Sequence, residues 1–162
     1  MPPPPVPPVP SVPSVPVPVP AVGPLPVADR DSAPWWERLA RHEFAVQRCG
    51  SCATPRFPPR AFCPRCRTES VRWEVVEPAG TVVSWVVSHQ AFGPGAAGPY
   101  IVVMVELAAV PGGFAYGGWR AGREPAAGEA VRGVYDDVSP GLTLLNWRPA
   151  RAYAVAKAPD RA

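Results

Sequence analysis

The residues of this 162-residue chain best suited to chemistry are four cysteines in two C-x-x-C pairs. These are Cys49-Gly50-Ser51-Cys52 and Cys63-Pro64-Arg65-Cys66, ten residues apart. Each pair forms a tight knuckle that aims two thiolates at one point, and two knuckles complete a tetrahedral all-sulfur site. Gly50 and Pro64, each just after the first cysteine of its pair, suit such turns. Zinc is the expected occupant, although the ligand set alone also admits iron in a rubredoxin-like site. Four thiolates leave no position open for water or substrate, so the ion is structural rather than catalytic. No free thiol then remains as a nucleophile. A thioredoxin-type redox role is the weaker reading, because it needs one such pair and not two. Closely paired cysteines of this kind point to a reducing, cytoplasmic setting.

The rest of the chain offers little else for catalysis. Ser84, Ser88, His89, Asp136 and Asp137 are the remaining nucleophile, base and acid candidates. Ser88 and His89 are neighbours on an expected strand, so they point to opposite faces and form no nucleophile–base pair. Gly93–Gly98 lies between expected strands and is not a phosphate-cradling loop opening a helix. From Glu37 to Glu74 eight arginines face four acids, a local excess of four that could meet phosphate. The whole chain carries only +3, with a pI near 8.9, well short of a polycationic nucleic-acid binder. No apolar run approaches the roughly 20 residues needed to cross a bilayer. The first charged residue is Asp29, behind a proline-laden stretch, which argues against a secretory signal.

The elements that must position the cysteines are legible around them. Thirteen of the 26 prolines fall between Pro2 and Pro26. Residues 1–31 are therefore read as a disordered Pro-rich tail of polyproline II character, which has a docking reading and, favoured, a reading without a partner. Ser32 is expected to cap a helix with Pro34 in its first turn. Trp35–Leu39 and Trp36–Ala40–Phe44 fall at i, i+4 spacings, giving an amphipathic helix of two to three turns. Trp35 and Trp36 read either as core residues or as a partner-facing patch. Helix and metal ribbon together take residues 32–70. From residue 71 to 150 strand signals take over, at Val71–Val76, Gly80–His89, Tyr100–Glu106, Phe114–Trp119, Val131–Tyr135 and Leu142–Trp147. Tyr100–Val105 is apolar on both faces, as a buried central strand would be. Short strands at this density fit a small barrel of OB type. Phe114 and Tyr116 share a face, opposite to Trp119. Residues 151–162 form a C-terminal tail. The fold class is mainly β: an N-terminal helix, a rubredoxin-like zinc ribbon, then an OB-fold barrel.

The order of these parts resembles a family. The two knuckles flank an Arg-Phe-Pro-Pro-Arg element (Arg56 to Arg60). They are followed by Gly80-Thr81-Val82, by Tyr100-Ile101-Val102-Val103-Met104-Val105-Glu106-Leu107, and by a late Gly-x-x-Val from Gly128 to Val131. Over residues 34–150 the chain resembles the zinc-ribbon plus OB-fold proteins catalogued as domain of unknown function 35. That resemblance implies an accessory subunit beside a thiolase-like or aldolase-like enzyme, binding acyl-CoA and helping to form the partner's active site. It implies Cys49, Cys52, Cys63 and Cys66 as structural zinc ligands. The chemistry of acyl-CoA makes Arg56, Arg60 and Phe57 the candidate ligand contacts, with Trp35 and Trp36 the candidate partner contacts. An OB-fold nucleic-acid module is the alternative, and a stand-alone enzyme or iron electron carrier a third.

Overall fold

The computed structural model describes residues 26–89 and 99–150. Most of the Pro-rich tail, most of the Gly93–Pro99 loop and the C-terminal tail lie outside the described residues. Among the described residues no helix is long and apolar enough to cross a membrane.

Helix α1 spans Ala33–Leu39 and is shorter than its spacing predicts. Ser32 does not cap it through its side chain. The Ser32 hydroxyl donates instead to Asp29 Oδ1 (2.6 Å), which also accepts the Ser32 N–H (2.7 Å). The helix ends where His42 enters the left-handed region at φ 59° and turns the chain. Phe44 thus lies beyond the helix and leads into strand β1, Ala45–Cys49. β1 shows no alternation of apolar and polar residues because four of its five positions are buried, on both faces. It is the centre of a three-stranded sheet in the order β2-β1-β3, with β2 at Pro55–Arg56 and β3 at Val71–Val75. β3, read from the sequence as the first barrel strand, pairs with β1 from Ala45↔Val75 to Cys49↔Val71. It is therefore a ribbon strand, fixed there by five consecutive partners.

The second sheet has the order β6-β5-β4-β7-β8. Its strands are β4 (Ala79–Ser88), β5 (Tyr100–Leu107), β6 (Phe114–Gly118), β7 (Ala130–Ser139) and β8 (Leu142–Pro149). A β-bulge between Val82 and Ser84 inserts Val83 opposite no partner on β5 and bends β4. The parallel bridge Trp119↔Trp147 and the hydrogen bond from Arg120 N–H to the Trp147 carbonyl (2.7 Å) join the β6 end to β8. This closes the OB barrel.

β7 runs four residues past its expected end, through Asp136 and Asp137. Both carboxylates are held by neighbours, which is why two acids do not end the strand. Asp136 Oδ2 accepts from Arg120 (2.7 and 3.0 Å) and from Asn146 (2.6 Å). Asp137 accepts from the Thr143 hydroxyl (2.6 Å) and pairs with His42 (2.9 Å), whose ring stacks on Tyr135. The core is continuous across the two sheets. Leu39, Phe44 and Val46 from helix and ribbon join Val82, Val103, Val105, Val131 and Trp147 of the barrel in one buried cluster.

Candidate metal centre and an apolar sheet face

The two knuckles are built alike. Cys49 donates its N–H to the Thr54 carbonyl (3.0 Å), and Ala53, at φ 58°, returns its N–H to the Cys49 carbonyl (3.0 Å). Cys63 donates to the Thr68 carbonyl (2.9 Å), and Arg67, at φ 61°, returns to the Cys63 carbonyl (2.9 Å). Each closed turn points its two sulfurs at the other. Gly50 allows the first knuckle to seat against the strand leading into β3: a Cβ there would lie 2.1 Å from Ser70 Oγ.

The result is a convergent sulfur cluster. Cys49 and Cys66 Sγ are 3.4 Å apart, Cys52 and Cys63 Sγ 3.6 Å, and all four lie within 4.8 Å of one another. Four sulfurs about 2.3 Å from a central zinc in tetrahedral geometry stand about 3.8 Å apart. The cluster therefore fits one tetrahedral ion, and the sequence pattern had placed all four residues together correctly. The surroundings favour thiolate at Cys49 and Cys52, whereas the Cys66 thiol is raised. The backbone N–H of Cys52 and then the Thr68 hydroxyl draw the Cys49 thiol down to about 5. The Thr54 hydroxyl, 3.1 Å from Cys52 Sγ, lowers that thiol as well.

Thr54 and Thr68 are the site residues that cysteine spacing alone misses. Each lies two positions after its knuckle, so the sequence reads C-x-x-C-x-T twice, at a 14-residue offset. Thr68 Oγ1 bridges the knuckles, 3.6 Å from Cys49 Sγ and 3.7 Å from Cys66 Sγ. Outer-shell partners of metal ligands typically contribute about 10–100-fold in metal affinity. Thr68→Val is accordingly expected to weaken metal binding by about that factor, measured by competition with a chromophoric chelator, while the loaded protein stays folded.

The other candidate residues sit differently from their expected roles. Arg56 is buried in β2, with Nη2 donating to the Ser70 carbonyl (3.4 Å). It faces the ribbon interior, where no phosphate reaches it from solvent. Phe57 packs on Trp35 and Phe44, with ring centroids 5.9 and 5.7 Å apart. Arg60 is exposed, its backbone N–H held by Gln47 Oε1 (2.9 Å). Trp35 and Trp36 meet edge to face at 4.7 Å and are half-buried against the shared core, so helix docking takes up much of their surface.

The large exposed apolar surface lies on the barrel. Val86 of β4, Tyr100, Val102 and Met104 of β5, and Phe114 and Tyr116 of β6 share one outward face through the strand register. Val86 and Tyr116 are 63% and 67% exposed. Glu106 borders this face, with its carboxylate turned to accept the Gly112 N–H (2.9 Å). Its one cation among the described residues is Arg120, which lies against Gly118 at the edge of the face and is paired with Asp136. Trp119 points inward and is buried, as the alternation from Phe114 and Tyr116 predicts.

Two family models match consecutive stretches: the ChsH2 rubredoxin-like zinc ribbon domain over residues 36–72 and the ChsH2 C-terminal OB-fold domain over residues 73–133. A solved structure titled "Ltp2-ChsH2(DUF35) aldolase" superposes with a TM-score of 0.69 at 30% identity, over 76% of this chain and 98% of that one. The chain belongs to the ChsH2/DUF35 family. A DUF35-family protein of unknown function from Sulfolobus solfataricus shares the ChsH2-type fold at 12% identity. Its TM-score is 0.53, over 76% of this chain and 87% of that one. Two curated relatives extend beyond the ChsH2 domains matched here. The "Probable enoyl-CoA hydratase alpha subunit" of Thermomonospora curvata is 42% identical over 89 residues, 54% of this chain and 27% of that protein. The "3-oxo-4,17-pregnadiene-20-carboxyl-CoA hydratase alpha subunit" of Mycobacterium tuberculosis is 32% identical over 127 residues, 76% of this chain and 39% of that protein. The chain thus spans between about a quarter and two-fifths of the length of the curated relatives it matches.

Proposed function

We propose that this ChsH2-type chain is a zinc-holding accessory subunit of an aldolase-like or thiolase-like enzyme that processes acyl-CoA. Cys49, Cys52, Cys63 and Cys66 hold the ion, whose part is to organise the ribbon. The observation that carries the reading is the exposed apolar face around Val86, Met104 and Tyr116. It stands on a domain whose acid candidates are engaged, Asp136 with Arg120 and Asp137 with His42 and Thr143. An exposed apolar sheet face of this kind marks a protein partner surface. The aldolase complex of its structural relative, and the CoA compounds named for its curated relatives, support an acyl-CoA enzyme as that partner. The exposed Arg60 remains the candidate contact for CoA phosphates. A nucleic-acid reading is disfavoured, because OB barrels that bind single strands combine stacking aromatics with a positively charged groove. Here the cation beside the aromatics, Arg120, is taken up by Asp136, and no positively charged groove runs along them.

Native mass spectrometry of the tagged chain from its own source tests this. An aldolase-like or thiolase-like subunit in whole-number ratio, with one zinc per copy of this chain, is the expected result. Tyr116→Asp should reduce recovery of that subunit at least tenfold while leaving zinc content and the unfolding temperature unchanged. Recovery of the lone chain, or of the chain with nucleic acid, overturns the reading.

A further inference from the structure

Among the described residues Arg56 is the one buried cation, with 3% of its surface exposed. Its Nε and Nη1 have no hydrogen-bond partner, and no carboxylate of the described residues pairs with it. The Nη2 contact to the Ser70 carbonyl, at 3.4 Å, is long. A guanidinium does not shed its proton in a protein, and an unpaired buried charge is strongly destabilising. Something in the ribbon must therefore offset it.

A loaded metal centre would supply that charge. Four thiolates around a divalent ion leave a net charge of −2, and bound-ion sites of this kind dominate local electrostatics. The topology brings Arg56 to the site. It lies opposite Gln47 in the β1–β2 pairing, four residues after Cys52. The Ser70 carbonyl it reaches also accepts the N–H of Gly50 (3.2 Å), inside the first knuckle. The guanidinium is thus tied through one carbonyl to the backbone that presents Cys49 and Cys52.

We infer that Arg56 is the buried countercharge of the metal centre: a positioning residue that offsets the tetrathiolate's negative charge and binds the first knuckle to Ser70. This inference rests on the cysteine cluster and not on the partner reading, so its test involves no partner enzyme. The Arg-Phe-Pro-Pro-Arg element then acts from beneath the site through its first arginine, rather than as a solvent-facing phosphate clamp.

The test compares Arg56→Met and Arg56→Gln, which remove the charge, with Arg56→Lys, which keeps it. Zinc affinity is read by chelator competition, and the reduction potential is read in protein reconstituted with iron. Met and Gln should each weaken zinc binding by about 10–100-fold, the range for outer-shell partners. Both should also lower the iron potential, because a lost cation disfavours the more negative reduced site. Lys should stay near wild type in both. If Met and Gln fold only as apo protein or not at all while Lys folds with metal, the charge requirement is met in the strongest form. Met or Gln with unchanged affinity and potential would overturn the inference. So would failure of all three variants to fold, because guanidinium shape rather than charge would then be the requirement.

Discussion

Serine at Cys63 should yield a chain that retains far less than one zinc per copy and has lost the ribbon as an ordered unit. Cys63 is 1% exposed and stands 3.6 Å from Cys52 Sγ, so its thiolate is half of one cross-knuckle contact. The ribbon sheet is small: β2 has two residues, and β1 and β3 five each. Such a sheet has little apolar surface of its own, and structural zinc in comparable peptides contributes an apparent 10–16 kcal/mol or so at neutral pH. The damage should extend past the ribbon, because Phe44 and Val46 are members of the barrel's own core cluster. Metal content by elemental analysis and thermal unfolding of Cys63→Ser, with chelated wild type alongside, measure this. A metal-free variant melting at the wild-type temperature would show that the shared core holds the ribbon unaided.

Trp147→Ala should be the most damaging single change in the barrel. Trp147 is the largest fully buried side chain, at 0% exposure, and its backbone makes both the closing bridge to Trp119 and the bond to Arg120 N–H. Its indole is packed against Gly117, where a Cβ would lie 2.9 Å from the ring and 2.4 Å from the Leu145 carbonyl. The ring therefore closes the barrel by lying directly on a bare stretch of backbone. Emptying such a site costs about 3–5 kcal/mol, against a total of about 5–15 kcal/mol for a typical domain. Chemical denaturation should show a loss in that range. Gly117→Val tests the same contact from the other side, by overfilling it. A loss below about 1 kcal/mol for Trp147→Ala would mean that the barrel collapses onto the cavity, contrary to the rigid closure described.

Much of this was legible in the chain, and the exceptions share a cause. The cysteine pairs needed only spacing, and the strands from β4 to β8 needed only apolar runs between turn residues. Phe114, Tyr116 and Trp119 fell on the faces that alternation assigns them. β1 escaped because both of its faces are buried, by the barrel core and by the ribbon, and two-sided burial erases the period. The end of α1 escaped because the i, i+4 series continues through Phe44 while the backbone turns at His42. β3 was read as a strand but assigned to the wrong sheet, since pairing is a long-range choice that a five-residue segment does not encode. Arg56 looked like a solvent-facing phosphate contact because nothing in its own neighbourhood announces burial. The register opposite Gln47, set by the whole ribbon, is what places it inside.

The bulge in β4 has an evolutionary consequence. Val82 faces inward, and Val83 and Ser84 are both exposed, so the extra residue is taken up without changing which side chains from Trp85 onward face out. On β5 the partners Val105 and Met104 are consecutive, so a lineage losing Val83 would keep Val86 on the outside and Trp85 on the inside. It would lose only the bend. A one-residue loss between Ser84 and Ser88, by contrast, would exchange the wet and dry sides of the strand beyond it. Curvature and display are therefore written in separate positions, and descendants of this chain can reshape the barrel at Val83 without redrawing the exposed apolar face.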